Sequence, residues 1–266
     1  MDARPIGIFD SGLGGLTVVK EIKKILPSEQ IIYLGDTARV PYGTRSKETV
    51  VRFSLQNTKF LSKFNIKCLV IACNTASALA YGEIKNSVSV PIIDVINPGA
   101  ETALSKSSNK IIGVIGTRGT ILSHAYKNAL KKRCGKVIVY EQPCPLFVPL
   151  IEEGEVSGEL IKIAVKKYLK VFIKTKIDTL ILGCTHYPIV SGVIQKNMGD
   201  KVILVNSGVE AAKKLYDTLK NCYLLAEKKG KDDKYFVTDL STSFIYVAEK
   251  YLGQKISSKV KKVSLN

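Results

Sequence analysis

Two stretches of the 266-residue chain end an apolar run in a cysteine and follow it with short hydrogen-bonding side chains. Residues 70–77 read VIACNTAS, with Cys73, Asn74 and Thr75; residues 181–188 read ILGCTHYP, with Cys184, Thr185 and His186. A free cysteine has a pKa of about 8.5, which a helix N-terminus or a neighbouring histidine lowers, so a thiol/thiolate couple suits acid–base work near neutral pH. Two such groups on opposite walls of one pocket have a specific use. One takes a proton from one face of a carbon centre and the other delivers a proton to the opposite face, which inverts the centre. In either direction one cysteine starts as thiolate and its partner as thiol. Asn74 and Thr75 are side chains that can bind a carboxylate, although they can equally cap the helix that follows them. His186 lies two residues after Cys184, whereas the other histidine, His124, has no such company.

Further polar clusters fall where apolar runs end. In DSGLGG, Asp10 and Ser11 precede glycines that let backbone N–H groups approach an anion. The motif departs from G-x-G-x-x-G, and Asp10 would repel a phosphate but suit an ammonium; a tight turn with Asp10 or Ser11 as N-cap fits equally well. Asp36 opens GDTARVPYG, whose Tyr42 and Gly43 form either a plain turn or a pair of backbone N–H donors for a carboxylate. Thr117 lies in GTRGT, and Glu152 in PLIEEGE, where a solvated acidic turn is the default reading.

The elements that position these groups follow a strand–helix rhythm. Strands are expected at residues 6–9, 31–34, 68–72 and 91–95, with helices after residue 12 (Leu16, Val19, Ile22, Leu26) and over 46–64 and 75–84. The rhythm restarts with strands at 111–115, 137–140, 179–182 and 201–205. Helices are expected near 123–132, over 157–172 with Leu160, Ala164, Tyr168 and Phe172 on one stripe, and near 190–198. From Gly208 a helix, a strand at 235–238 and a helix over 241–252 are expected. The fold class is α/β: two pseudo-symmetric domains, each a mostly parallel sheet flanked by helices, with the active site in the cleft between them. PIGIFDSG rhymes with IIGVIGTRG and LVIACNTAS with LILGCTHYP, as an internal duplication would. The division expected is residues 1–97 with 209–266, and 98–208. Ligands of open α/β sheets bind beyond the carboxyl ends of the strands, where every cluster named above lies.

Composition is that of a globular protein, with 45% hydrophobic and 24% charged residues. No apolar run reaches the length of about 20 residues needed to span a bilayer, and MDARPIGIFDSG holds no apolar signal core. A cytoplasmic protein with no membrane partner is expected. The six cysteines show no C-x-x-C pair, so neither a zinc site nor a disulfide framework is expected. Cys68, Cys134, Cys144 and Cys222 are read as small buried apolar residues. The net charge of +17 comes from lysines spread along helical segments, without a nucleic-acid-reading motif, so solvated helix faces are expected rather than a nucleic-acid partner.

GIFDSGLGG, GDTARVPYGTRS, VIACNTAS, CPLFVPLIEEGE and GCTHYP, in this order, resemble the glutamate racemases of the aspartate/glutamate racemase superfamily. The resemblance runs from the start of the chain to about Asn206. It implies interconversion of L- and D-glutamate for peptidoglycan, with no cofactor or metal, and often as a homodimer. It maps the acid–base pair onto Cys73 (the D-isomer's proton) and Cys184 (the L-isomer's), with Asp10 assisting Cys73, His186 and Glu152 assisting Cys184, and Asp36 as a supporting carboxylate. It places Asp10 and Ser11 near the amino group. Asn74, Thr75 and Thr185 fall around the α-carboxylate and amino group, Tyr42 and Gly43 at the side-chain carboxylate, and Thr117 is a further contact. It also implies a C-terminal segment that returns to the first domain. An aspartate racemase is the alternative, against which the full GDTARVPYG segment argues; an added DNA- or gyrase-binding role is a remoter one.

Overall fold

The computed structural model describes residues 2–228, 231–240, 245, 247–249, 252–253 and 255–265. The first half alternates strand and helix: β1 (Ile6–Asp10), α1 (Gly15–Ile25), β2 (Ile31–Gly35), α2 (Lys47–Ser62), β3 (Cys68–Ile71), α3 (Asn74–Lys85) and β4 (Ile92–Asp94). The second continues with α4 (Ile96–Lys106), β5 (Ile111–Gly116), α5 (Arg118–Leu122), α6 (Ala125–Arg133), β6 (Ile138–Pro143), α7 (Phe147–Glu152), α8 (Glu159–Leu169), β7 (Thr179–Gly183), α9 (Ser191–Met198) and β8 (Ile203–Asn206). Then come α10 (Ser207–Asn221), β9 (Lys234–Val237) and β10 (Val260–Lys262). Two parallel sheets result, ordered β10-β9-β2-β1-β3-β4 and β6-β5-β7-β8. β9 and β10 thus return to the first sheet.

β1, β2, β3 and β7 are apolar without alternation because helices cover both faces of each sheet. Successive residues of β1 feed opposite cores. Ile6 and Ile8 pack with Leu16, Val19 and Ile22 of α1 and with Leu215 of α10, while Phe9 packs with Val50, Leu61 and Ala76 on the other face. Register aligns the strand ends. Asp10 pairs with Gly35 and Phe9 with Ile71, so Asp10, Asp36 and Cys73 leave the first sheet at one level. Gly116 pairs with Gly183, so Thr117 and Cys184 leave the second sheet together. α10 packs against both α1 and α4 and ties the halves together.

Several expectations need correction. No helix was expected between the strands at 91–95 and 111–115, yet α4 lies there and runs through Pro98. Proline is tolerated there because it is the third helical residue, within the turn whose N–H groups have no intrahelical partner. Asp94 Oδ1 accepts from the N–H groups of Ile96 and Asn97, both at 2.8 Å, and starts that helix. α8 turns Ile161, Ala164, Val165 and Leu169 inward, which leaves Leu160 57% exposed. The rest of the expected stripe faces the core: Ala164 and Phe172 are buried and Tyr168 packs on the same cluster, although Phe172 belongs to a separate 3₁₀ turn after α8. The helix expected near 123–132 starts two residues later, at Ala125, because its N-cap His124 stands in the left-handed region at φ 53°. Cys68 and Cys144 are buried as expected, but Cys134 is half-buried and Cys222, at the C-terminal cap of α10, is exposed. The helix expected over 241–252 falls in large part outside the described residues. Among the described residues no helix is long and apolar enough to cross a membrane.

Candidate active site

The first wall is built at the ends of β1 and β3. Asp10 is fully buried, and its Oδ2 accepts from the Gly12 N–H at 2.9 Å. α1 has Gly14 as its N-cap, with no side-chain bond to the cap, so neither Asp10 nor Ser11 caps it; Asp10 braces the glycine loop instead. Burial pushes the Asp10 carboxyl up, against the pull of His186 and of the loop N–H groups. Cys73 is itself the N-cap of α3, its sulfur accepting from the Ala76 N–H at 3.5 Å, and its thiol points to Ser11 Oγ at 3.7 Å. The helix end alone favours a thiolate. Burial and then the nearby Asp10 charge outweigh it and push the Cys73 thiol up to about 12. Cys73 therefore rests protonated.

The second wall is built where β7 ends. Cys184 Sγ lies 3.8 Å from His186 Nδ1, and His186 Nε2 lies 3.1 Å from Glu152 Oε1, on the last residue of α7. His186 is 3% exposed. Burial pushes its pKa down, but the hydrogen bonds and charges of Cys184 and Glu152 outweigh that and carry it up to about 10. The ring is thus an imidazolium at neutral pH, and a cation beside sulfur favours the thiolate. One wall thus presents a buried thiol held protonated, and the other a sulfur beside an imidazolium.

The walls meet at small residues. A Cβ on Gly14 would lie 2.2 Å from Thr185 Oγ1 and 2.5 Å from His186 Nδ1, and one on Gly43 would lie 2.5 Å from Thr117 Cβ. Glycine at these two positions is what lets the halves close. Thr185 Oγ1 reaches Asp10 Oδ1 at 3.5 Å, and its carbonyl accepts from Thr17 Oγ1 at 2.9 Å. Thr75 Oγ1 and Thr117 Oγ1 are 2.9 Å apart across the halves, with Thr120 Oγ1 3.0 Å from Thr117. Cys73 and Cys184 are 5% and 6% exposed, so the site they line is nearly closed to water.

Asn74 Oδ1 accepts from Tyr126 O–H at 2.7 Å, while its buried Nδ2 has no hydrogen-bond partner. A buried donor left unpaired costs about 1–3 kcal/mol, so it is a feature of sites that expect a ligand. Tyr42 is buried with its hydroxyl on Asp36 and accepting from Asn57 Nδ2 at 3.0 Å, so that hydroxyl is already committed. What Tyr42 and Gly43 offer is backbone: they open the 3₁₀ turn Tyr42–Thr44, whose first N–H groups the turn does not use. Asp36 holds Arg39 through both oxygens, Thr238 at 2.9 Å, and Tyr42. Its carboxylate braces this loop and reaches the site only through Tyr42.

Contacts link Ser11 to Cys73, Asp10 to Thr185, His186 to both Cys184 and Glu152, and Thr117 to both Thr75 and Gly43, whereas His124 stands apart on Glu141. Sequence reasoning did not name Gly14, Thr17, Thr120 and Tyr126, which act across the halves; Gly14, in DSGLGG, and Thr120, in GTRGT, carried a local signal. Among the described residues no group of three or more His, Cys, Asp or Glu side chains converges as a metal-ligand set.

Comparison with known proteins agrees with this architecture. The Asp/Glu/hydantoin racemase family model matches residues 6–215. The chain is 47% identical over 266 residues to a glutamate racemase of Geobacter metallireducens, covering 100% of this chain and 98% of that protein. It is 49% identical over 255 residues to one of Aquifex aeolicus, covering 96% of each. The crystal structure of the glutamate racemase of Francisella tularensis in complex with D-glutamate superposes with a TM-score of 0.94 at 42% identity, covering 100% of this chain and 99% of that one.

Proposed function

The chain belongs to the Asp/Glu/hydantoin racemase family of isomerases, and on that basis we propose that it interconverts L- and D-glutamate without a cofactor, by proton transfer at Cα between Cys73 and Cys184. The observation that carries the reading is the opposite surroundings of two cysteines at the ends of β3 and β7, one beside a buried carboxylate and one beside a charged imidazole. The Cys73 thiol is pushed up to about 12 and the His186 imidazolium beside Cys184 up to about 10. The free enzyme is thereby set for the L-isomer. The Cys184 thiolate takes the Cα proton, breaking C–H and forming S–H, while the Cys73 thiol gives its proton to the opposite face of the carbanion. The product is D-glutamate, with Cys73 left as thiolate and Cys184 as thiol, which is the state that starts the reverse reaction.

Asp10 and Ser11 hold the substrate ammonium, and Asp10 assists Cys73. Asn74 Nδ2, Thr75 and Thr185 hold the α-carboxylate and amino group; the backbone N–H groups of Tyr42 and Gly43, with Thr117, hold the side-chain carboxylate. Glu152 keeps His186 charged, and Asp36 keeps the Tyr42 loop in place. In this reading residues 1–97 with 209–266 form one domain and 98–208 the other, the enzyme works in the cytoplasm as a homodimer, and D-glutamate serves peptidoglycan synthesis. The test follows circular dichroism at one wavelength with L-glutamate, a chelator and no pyridoxal phosphate, beside a parallel L-aspartate reaction. Decay of the glutamate signal to zero supports the reading. A static glutamate signal with decay of the aspartate signal would replace it with an aspartate racemase.

A further inference from the structure

We infer that Tyr126 is a positioning residue: its O–H fixes the orientation of the Asn74 amide, so that Nδ2 rather than Oδ1 faces the substrate carboxylate. The inference rests on the racemase reading above and adds to it a residue with no place in the sequence pattern. Tyr126 stands on α6 in the second half and is 1% exposed, while Asn74 begins α3 in the first half and is 2% exposed. The hydroxyl meets Asn74 Oδ1 at 2.7 Å, the Val95 carbonyl at 3.4 Å and the Ser207 side chain. The shorter contact takes the proton. Burial holds the phenol far above its ordinary range, so it is a donor at every working pH. With Oδ1 engaged by a donor, the amide has one orientation, and the end left over is the buried, unpartnered Nδ2.

The ring is placed as firmly as the hydroxyl. A Cβ on Gly183 would lie 3.0 Å from Tyr126 Cε2, and one on Gly99 would lie 3.4 Å from Cε1. Gly183 immediately precedes Cys184, and Asn74 immediately follows Cys73. Tyr126 is therefore a strut between the two cysteine-bearing turns, packing on one and hydrogen bonding to the other. Without the O–H, the two ends of the amide are nearly the same shape, and a flip would turn an acceptor toward an anion.

Tyr126→Phe, Asn74→Ala and the double variant are assayed for racemisation in both directions, with unfolding curves as a control. Tyr126→Phe is expected to raise KM about tenfold in both directions and keep kcat within about threefold, the loss of one oriented hydrogen bond to a charged group. In the Asn74→Ala background the same change is expected to add no more than about twofold, because its target is gone. An equal loss in both backgrounds would mean that Tyr126 only supports the fold and would overturn the inference. So would a fall in kcat with KM unchanged. Asn74→Asp supplies an arm that leaves Tyr126 intact. It keeps an acceptor for the phenol and turns a carboxylate oxygen into the site, so it is expected to lose more activity than Asn74→Ala; an equal or smaller loss contradicts the orientation. A wild-type protein inactive on glutamate would overturn the racemase reading first, before any variant is compared.

Discussion

Replacing Gly14 by alanine tests whether the halves meet as closely in the working enzyme as they do here. Gly14 has φ −58° and ψ −32°, a helical conformation any residue adopts, so the change carries no backbone penalty and its effect is steric. The new Cβ would lie 2.2 Å from Thr185 Oγ1, 2.5 Å from His186 Nδ1 and 2.7 Å from His186 Cε1. Carbon and its neighbours settle at about 3.5 Å, so the Thr185–His186 turn must retreat by about 1 Å. That turn is tied to Asp10 and Thr17 through Thr185 and to Glu152 through His186, so the retreat pulls on both walls at once. A misplacement of about 1 Å costs about 10²-fold in rate, and overpacking costs about 1–3 kcal/mol in stability. The assay is kcat for L-glutamate by circular dichroism, with urea unfolding on the same sample. Gly82→Ala is the matched control: a Cβ at this position in α3 meets nothing within 4 Å, so activity should hold and stability should stay level or rise. Wild-type kcat and unchanged stability in Gly14→Ala would refute the argument that this contact closes the site.

Three further outcomes follow from the charges. His186→Asn should slow L-to-D turnover more than D-to-L, since His186 bonds to Cys184 and not to Cys73; equal losses in kcat would leave it only a substrate contact. kcat/KM for L-glutamate should hold through neutral pH and fall as His186 deprotonates near its pKa of about 10, and Glu152→Gln should move that fall to lower pH; a pH profile unmoved by the change would sink the pairing. Because this pKa is raised from 6.5, the His186 contribution to stability is complete below about pH 6.5 and lost as pH rises toward about 10. Asp178 is the opposite case. Burial pushes its carboxyl up, but hydrogen bonds from Ser107, Asn109, Ser108 and Thr179 outweigh that and hold it down at about 2. Asp178→Ala should cost about 1–3 kcal/mol at neutral pH. That difference should be intact above about pH 4 and vanish as pH falls through about 2, with kcat unaffected, as denaturant unfolding at the two pH values would show.

Strands β1, β2, β5 and β7 were legible because each is short, apolar and ends at a glycine or an aspartate, and β3 because it runs up to Cys73; a parallel sheet puts those ends on one side. That is why Cys73, Cys184 and the clusters beside them could be named from their neighbours in sequence. Helix α4 was hidden because Pro98 reads as a breaker unless Asp94 is seen capping the turn before it. The first residue of the stripe on α8 was misplaced because Leu160 and Ile161 are equally apolar, and only the packing beneath decides which turns inward. The cross-half roles of Gly14, Thr17 and Tyr126 were illegible for a different reason. Their partners, Thr185, His186 and Asn74, lie between about 50 and 170 residues away, so no local pattern marks them. The wall assignments rested on local chemistry, and what joins the walls rested on tertiary contact.

Isotope labelling of L-glutamate turned over in D₂O tests the two-base account most directly. With Cys184 removing the proton and Cys73 supplying another from solvent, the first D-glutamate formed should carry deuterium at Cα while the remaining L-glutamate stays unlabelled. Proton retained in the early D-glutamate, or deuterium entering the L-glutamate pool as fast as product appears, would show one base serving both faces and contradict the assignment of Cys73 and Cys184.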